Sequence, residues 1–320
     1  MTSYYGRPVL HDPVWKDEIA WYLFSGGLAG ASSVLAAGAR LTGRPHLARV
    51  ARRVALGGAL ASPVLLIADL GRPSRFANML RVVRPTSPMN MGSWLLSVYG
   101  ASAGAAAVLD AARVLPRLAQ VVDVSAAVTG TLLTTYTGVL LADTSVPVWH
   151  EAHRELPFVF AASAATSAGA AATLLARPAD AGPARRLALA GVVAEQLAMR
   201  AMERRLCRCS PPGAGAQPPS PGPGLLGAPY RTGAAGRYHR TAGWLGQVGG
   251  LTLAVARWMP GGARRTRAAT VAGAGLLLAS AAATRFAVFR AGSQSANDPA
   301  ATIAPQRARQ EERKRERQPY

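Results

Sequence analysis

A chain of 320 residues that is half hydrophobic and carries a formal charge of +20, from 36 basic and 16 acidic side chains, belongs to one of two classes. Nucleic-acid binders gather such charge in a patch with interleaved aromatics, whereas membrane proteins place it at the ends of long apolar runs. Here the arginines fall between the runs and only 6% of residues are aromatic, which argues against nucleic acid and for an all-α protein in the lipid bilayer.

Residues 1–17 read as an acidic, aromatic interfacial lead-in. No cleavage-site pattern follows the first apolar run, so the first span is expected to remain in the mature protein. Windows long enough to cross about 30 Å of hydrocarbon as helix recur near 18–41, 52–70, 93–112, 121–142, 157–176, 185–203, 241–259 and 268–289. They predict a bundle of about eight transmembrane helices. Spans six and seven are the least apolar, since Glu195 and Gln196 interrupt one and Gln247 the other. Small residues spaced by four, Gly26 with Gly30, Gly57 with Ala61, and the series Ser93, Ser97, Ala101 and Gly104, predict close helix packing.

Span one carries Glu18, Tyr22 and Ser25 in an i, i+4, i+7 pattern, with Trp21 beside them. These residues form either a wet face or part of an interfacial aromatic belt. Span two ends in Asp69, followed by a Gly-Arg-Pro break. Gly71 and Pro73 stop the helix, Pro85 and Pro88 keep the loop extended, and Ser93 is placed to cap span three. Asp69 precedes Arg72 by three residues, a spacing that suits a local ion pair or a proton-accepting carboxylate held by an arginine. The 71–92 loop mixes Arg72, Arg75, Arg81 and Arg84 with Phe76, Met79, Met89 and Met91. That mixture suits a surface pressed against a partner protein, or a cationic loop beside lipid headgroups.

Span four contains Thr129, Tyr136 and Asp143, spaced by seven and stacked on nearly one face. Its threonines can bond back to their own helix, but a phenol at mid-span needs a partner, and a quinone carbonyl would serve. Two further carboxylates within or beside spans are Asp123 and Glu195, both costly in hydrocarbon.

After the six-helix region of 18–209, residues 210–239 form a Pro/Gly-rich connector whose 210–228 stretch is neither helix nor sheet. Two further spans occupy 240–290, and 291–320 is a charged, flexible tail. Cys207 and Cys209 are the only cysteines and cannot by themselves hold an iron–sulfur cluster or structural zinc. Because the histidines sit in the lead-in, in loops or at span edges, haem is not expected either.

Short Arg-bearing connectors after spans one, three, five and seven would be cytoplasmic by the positive-inside rule, which puts both termini on the outer face. The Arg-rich 71–92 loop, the long 204–240 loop and the basic tail favour the opposite arrangement. A transporter or channel would need broken helices or an inverted repeat, and no convincing repeat is visible. A purely structural anchor is the other alternative.

The stretches DPVWKDEIAWYLFSGGLAGAS, LIADLGRPSRFANMLRVVRPTSPMNMGSW, TTYTGVLLADTSVPVWHEAHRELPFVF and RFAVFRAGSQSANDP resemble the NrfD-like family, membrane subunits of polysulfide reductase and related complexes. The resemblance extends over essentially all eight spans. It implies an integral subunit of the bacterial cytoplasmic membrane that is not catalytic alone and holds no haem or cluster of its own. Such a subunit binds menaquinone or ubiquinone and anchors a ferredoxin-like iron–sulfur subunit, which is paired with a molybdopterin catalytic subunit. Carried onto this chain, Tyr136 becomes a quinone hydrogen-bonding residue and Glu18, Tyr22, Asp69 and Arg72 surround that site. Asp69 and Glu18 relay protons, and the 71–92 loop docks the iron–sulfur subunit through Arg75, Phe76, Met79, Arg81, Arg84 and Met89. No histidine lies within span one, where some family members place a quinone ligand.

Overall fold

The computed structural model describes residues 10, 15–208, 225–258, 262–303 and 310. Most of the lead-in, the 209–224 part of the connector with Cys209, and nearly all of the tail beyond Ile303 lie outside the described residues. The described chain is helical, with no strand. Eight long helices correspond one to one with the predicted spans: α1 (Asp17–Leu41), α2 (Pro45–Leu70), α4 (Pro88–Ala112), α5 (Pro116–Ala142), α7 (Leu156–Leu175), α8 (Gly182–Arg208), α9 (Gly233–Val255) and α10 (Gly262–Ala296). Two short helices, α3 (Pro73–Met79) and α6 (Pro147–Glu151), lie in connectors.

Most helices begin earlier than the apolar windows. Hydropathy registers where the chain is greasy, whereas a helix continues through charged turns beyond the hydrocarbon. Pro45, Pro73, Pro88, Pro116 and Pro147 each open a helix, the position where a missing N–H costs nothing. Pro88 therefore starts α4 rather than extending the preceding loop. The cap is Ser87, whose hydroxyl accepts from the Asn90 N–H at 3.5 Å, and not Ser93. Gly71 ends α2 in the left-handed conformation, φ 70°, which a side chain would disfavour.

Six helices, α1, α2, α4, α5, α7 and α10, are long and apolar enough to cross a membrane. The two that fall short by composition are α8 and α9, the spans marked by Glu195, Gln196 and Gln247. The chain runs up and down, with neighbours α1 and α2, α4 and α5, α7 and α8, and α9 and α10 packed side by side. The front four helices meet the back four where α1, α2 and α5 pack on α7, and α1 on α10. An even number of passes returns the chain to its starting face, where Arg290 of α10 binds Asp17 of α1 at 2.7 Å.

Backbone meets backbone where α1 crosses α5. A Cβ on Gly130 would stand 2.7 Å from the Gly30 carbonyl oxygen, and one on Gly30 would strike the Gly130 carbonyl. In α2 the packing face is Gly58 and Ser62 rather than the predicted Gly57 and Ala61. A Cβ on Gly58 would lie 2.8 Å from Ala29 Cβ, whereas Gly57 has nothing within 4 Å and Ala61 is exposed. In α4, Ala103 and Ala106 are buried while Ala101 is exposed and Gly104 is open. So many small residues occur that spacing alone does not select the face.

Asp123 of α5 is buried and accepts from Arg40 of α1 at 2.6 Å and from Arg52 of α2 at 3.0 and 2.8 Å. Arg52 also pairs with Asp110 of α4 at 2.8 Å. Four helices are thus clamped at the end of the bundle opposite the chain termini. Removing one partner of a buried pair strands the other charge, so Asp123→Ala is expected to cost about 3–5 kcal/mol. It should lower the thermal unfolding midpoint of the detergent-solubilised chain, while Asp143→Ala at the exposed end of α5 should not.

Candidate functional site

At the face where α1 begins and α2 and α5 end, the helices part around a cleft of about 190 Å³. Trp15, Ile19 and Tyr22 supply one wall, Leu66, Asp69 and Leu70 of α2 a second, and Tyr136 with Leu140 of α5 a third. Arg75 and Met79 of α3, with Met89, Gly92 and Ser93 of α4, close the mouth. Most of the lining is apolar, and the polar groups are two phenols, a carboxylate, a guanidinium and a hydroxyl.

The two tyrosines differ in how they are held. Tyr22 is buried at 3% exposure, and none of the described residues hydrogen-bonds its hydroxyl. Tyr136 already has a partner, because its hydroxyl donates to the Pro88 carbonyl. Its ring lies against Gly92, where any Cβ would collide with it. The threonines of α5 behave as local bonding predicts, Thr129 donating to the Ser125 carbonyl at 2.8 Å and Thr131 to Ala127 at 2.9 Å. Asp143 is exposed beyond the helix end.

Asp69 is half-buried and accepts from the Lys16 N–H at 3.0 Å, tying the start of α1 to the end of α2. Its expected neighbour Arg72 is not in the cleft. The left-handed turn at Gly71 ends α2 first, so Arg72 takes an extended conformation, φ −135°, and points away as an exposed cap of α3. Arg75 lines the cleft instead, with Nη1 donating to the Leu70 carbonyl at 3.1 Å. Glu18 is half-buried but does not line the cleft. The cleft face at the first helix is Trp15, Ile19 and Tyr22, three residues earlier than the predicted Glu18, Tyr22 and Ser25 face. Ser25 turns inward to pair with Ser62 of α2 at 3.0 Å.

Among the residues expected to dock a partner, Met79 and Met89 line the cleft with Arg75, while Phe76 is half-buried outside it and Arg81 and Arg84 are exposed. No residue of α3 is buried, and Val82, Val83, Met89 and Met91 join the arginines in an exposed surface around the mouth.

Trp15 was not anticipated. Its ring stacks on Trp149 of α6 at 5.8 Å, and Trp149 donates its indole N–H to the Val288 carbonyl of α10 at 2.8 Å, packed against Gly292. The spacing 15, 19, 22 is helical and was the available signal, but Trp15 precedes the helix. Arg285 was also missed. It is 1% exposed in α10, donates to the Phe160 carbonyl at 2.7 Å and lies 3.9 Å over the Phe160 ring. Glu195 of α8, equally buried, accepts from Thr166 at 3.2 Å and from Thr284. These charges sit among α7, α8 and α10, apart from the cleft.

A family model described as polysulphide reductase, NrfD, matches residues 9–199. The match takes in every element of the cleft and ends within α8, so it stops before α9 and α10. No curated protein matches the chain.

The contact between Gly92 and Tyr136 is testable as a pair. Gly92→Ala is expected to destabilise the detergent-solubilised chain by about 1–3 kcal/mol through overpacking. In a Tyr136→Ser background the same substitution should cost much less, a coupling readable from the thermal unfolding of the two single variants and the double variant.

Proposed function

The chain belongs to the NrfD, polysulphide reductase, family of multi-pass membrane subunits, and on that premise we propose that it exchanges electrons between an iron–sulfur partner and membrane quinone. Family members are membrane subunits of polysulfide reductase-like complexes and generally associate with iron–sulfur and molybdoenzyme subunits. The observation that carries the reading is the cleft itself, where phenols from α1 and α5 and a carboxylate from α2 converge beside an Arg- and Met-rich surface.

The lining suits a quinone ring. Ile19, Leu66, Leu70 and Leu140 give it apolar walls, and the volume of about 190 Å³ falls below the roughly 300–1,000 Å³ of drug-sized ligand sites, so the cleft admits a ring while an isoprenoid tail stays in lipid. Menaquinone and ubiquinone both meet that description. A bound quinone would supply two-electron, two-proton chemistry at its carbonyl oxygens. Tyr22 offers a buried hydroxyl, unengaged by any of the described residues, to donate to a carbonyl oxygen, a bond strengthened by the dry surroundings. Tyr136 supplies a second donor when its proton swings away from Pro88. Asp69 takes and returns protons at the cleft edge. Glu18 lies one residue from the cleft wall and extends that relay toward the surface.

The strip around the mouth, with Arg72, Arg81 and Arg84 exposed and Phe76 half-buried among them, docks the iron–sulfur subunit, which in turn carries a molybdopterin catalytic subunit. Placed this way, the cleft and the partner share one face of the bilayer. By the connector arginines that face is the outer side of a bacterial cytoplasmic membrane, with both termini on it. The long helices run unbroken, which favours an anchor over a transporter of the broken-helix type.

Gentle purification from native membranes should yield the chain with an iron–sulfur subunit, a molybdenum- or tungsten-containing subunit and quinone. Isolation of the chain alone, without metal or quinone, would overturn the proposal. Within such a complex, Tyr22→Phe and Tyr136→Phe should each lower donor:quinone turnover by on the order of tenfold without loss of assembly. Wild-type turnover in both variants would remove the tyrosines from the mechanism.

A further inference from the structure

Two hollows meet on the outer flank of the back half, between α8 and α9. The inner one, about 470 Å³, has side walls of Leu189, Val193, Leu197 and Leu251, with Gly246 and Gly250 on its floor. The one nearer the chain termini, about 400 Å³, is lined by Arg200, Glu203, His239, Arg240 and Trp244. Gln196, Arg200 and Gln247 border both, so they form one groove with a greasy floor and a cationic end.

The cationic charge at that end is not cancelled among the described residues. Glu203 is engaged by His239 at 2.9 Å. Arg240 spends one nitrogen on the Arg231 carbonyl at 2.9 Å, and Arg200 has no ion-pair partner among the described residues. Depth fits as well. A helix of 27 residues is about 40 Å long against about 30 Å of hydrocarbon, so Arg200, eight residues before its end, can reach the headgroup boundary. Trp244 is 69% exposed beside it, in keeping with the interfacial level that tryptophan favours.

We propose that this groove holds one anionic phospholipid, its phosphate between Arg200 and Arg240 and an acyl chain along Leu197, Val193 and Leu251. A zwitterionic headgroup carries its own cation and competes with the two guanidiniums, and a quinone brings no charge to meet them. Gln196 and Gln247 stand where the glycerol ester carbonyls would lie. The lipid supplies the apolar surface that α8 and α9, the two long helices that fall short of a membrane span by composition, lack between them.

The test is native mass spectrometry of the full chain, purified in mild detergent, delipidated and incubated with phosphatidylglycerol or with phosphatidylcholine of the same acyl chains. One phosphatidylglycerol per chain should be retained with on the order of tenfold preference. The preference should vanish in Arg200→Gln/Arg240→Gln. Retention itself should fall in Gly250→Leu, which fills the floor without altering charge; a Cβ there meets only Val192 Cγ1 at 3.5 Å. Equal retention of the two lipids by the wild-type chain would overturn the proposal whatever the variants do, as would undiminished phosphatidylglycerol retention in both variants or a quinone held in the groove instead.

Discussion

The crossing of α1 and α5 at Gly30 and Gly130 is the constraint on which the cleft depends. Backbone meets backbone there, so the two helices can neither slide nor separate without losing their closest packing. Tyr22 lies eight residues from Gly30 and Tyr136 six from Gly130, both toward the terminal face, because the helices run in opposite directions. At about 1.5 Å per residue the two phenols come to similar depth, roughly 12 and 9 Å from the crossing. The back half then locks the remaining wall, since Trp15 stacks on Trp149 and Trp149 is fastened to α10.

Charge is distributed so that each desolvated group has a specific structural partner. At the far end, Asp123, Arg40, Arg52 and Asp110 neutralise one another and hold α1, α2, α4 and α5 in register. Within the back half, Glu195 is surrounded by threonine hydroxyls, and Arg285 by the Phe160 carbonyl and ring. Both arrangements limit the cost of burying charge. Around the cleft the polar groups are left more open, and Tyr22 is held without a partner among the described residues.

The short helix α3 connects the cleft with the surface. Arg75 and Met79 form part of the cleft mouth, while no residue of the helix is buried. In the proposed complex it would be the thin wall between a docked redox partner and the quinone ring. Thinness there matters, because electron transfer weakens steeply with distance while proton transfer needs hydrogen-bonding groups in reach. One face of the bundle would meet both demands.

Hydropathy, proline placement and charge between the runs were enough to establish eight long helices, their order and their membrane class, because these depend on local composition. Tyr22, Tyr136, Asp69 and three of the loop residues could be named from spacing and motif. Which faces pack could not. In an Ala- and Gly-rich chain, Gly57 and Gly58 look alike, and only the approach of α1 selects the second. Arg72 and Arg75 are likewise equivalent until the left-handed turn at Gly71 sends one outward and the other into the cleft. Trp15 precedes its helix, and the burial of Arg285 depends on α7, whose Phe160 carbonyl and ring enclose it. Such choices depend on contacts between residues far apart in the chain, and the packing of one helix on another is what settles them.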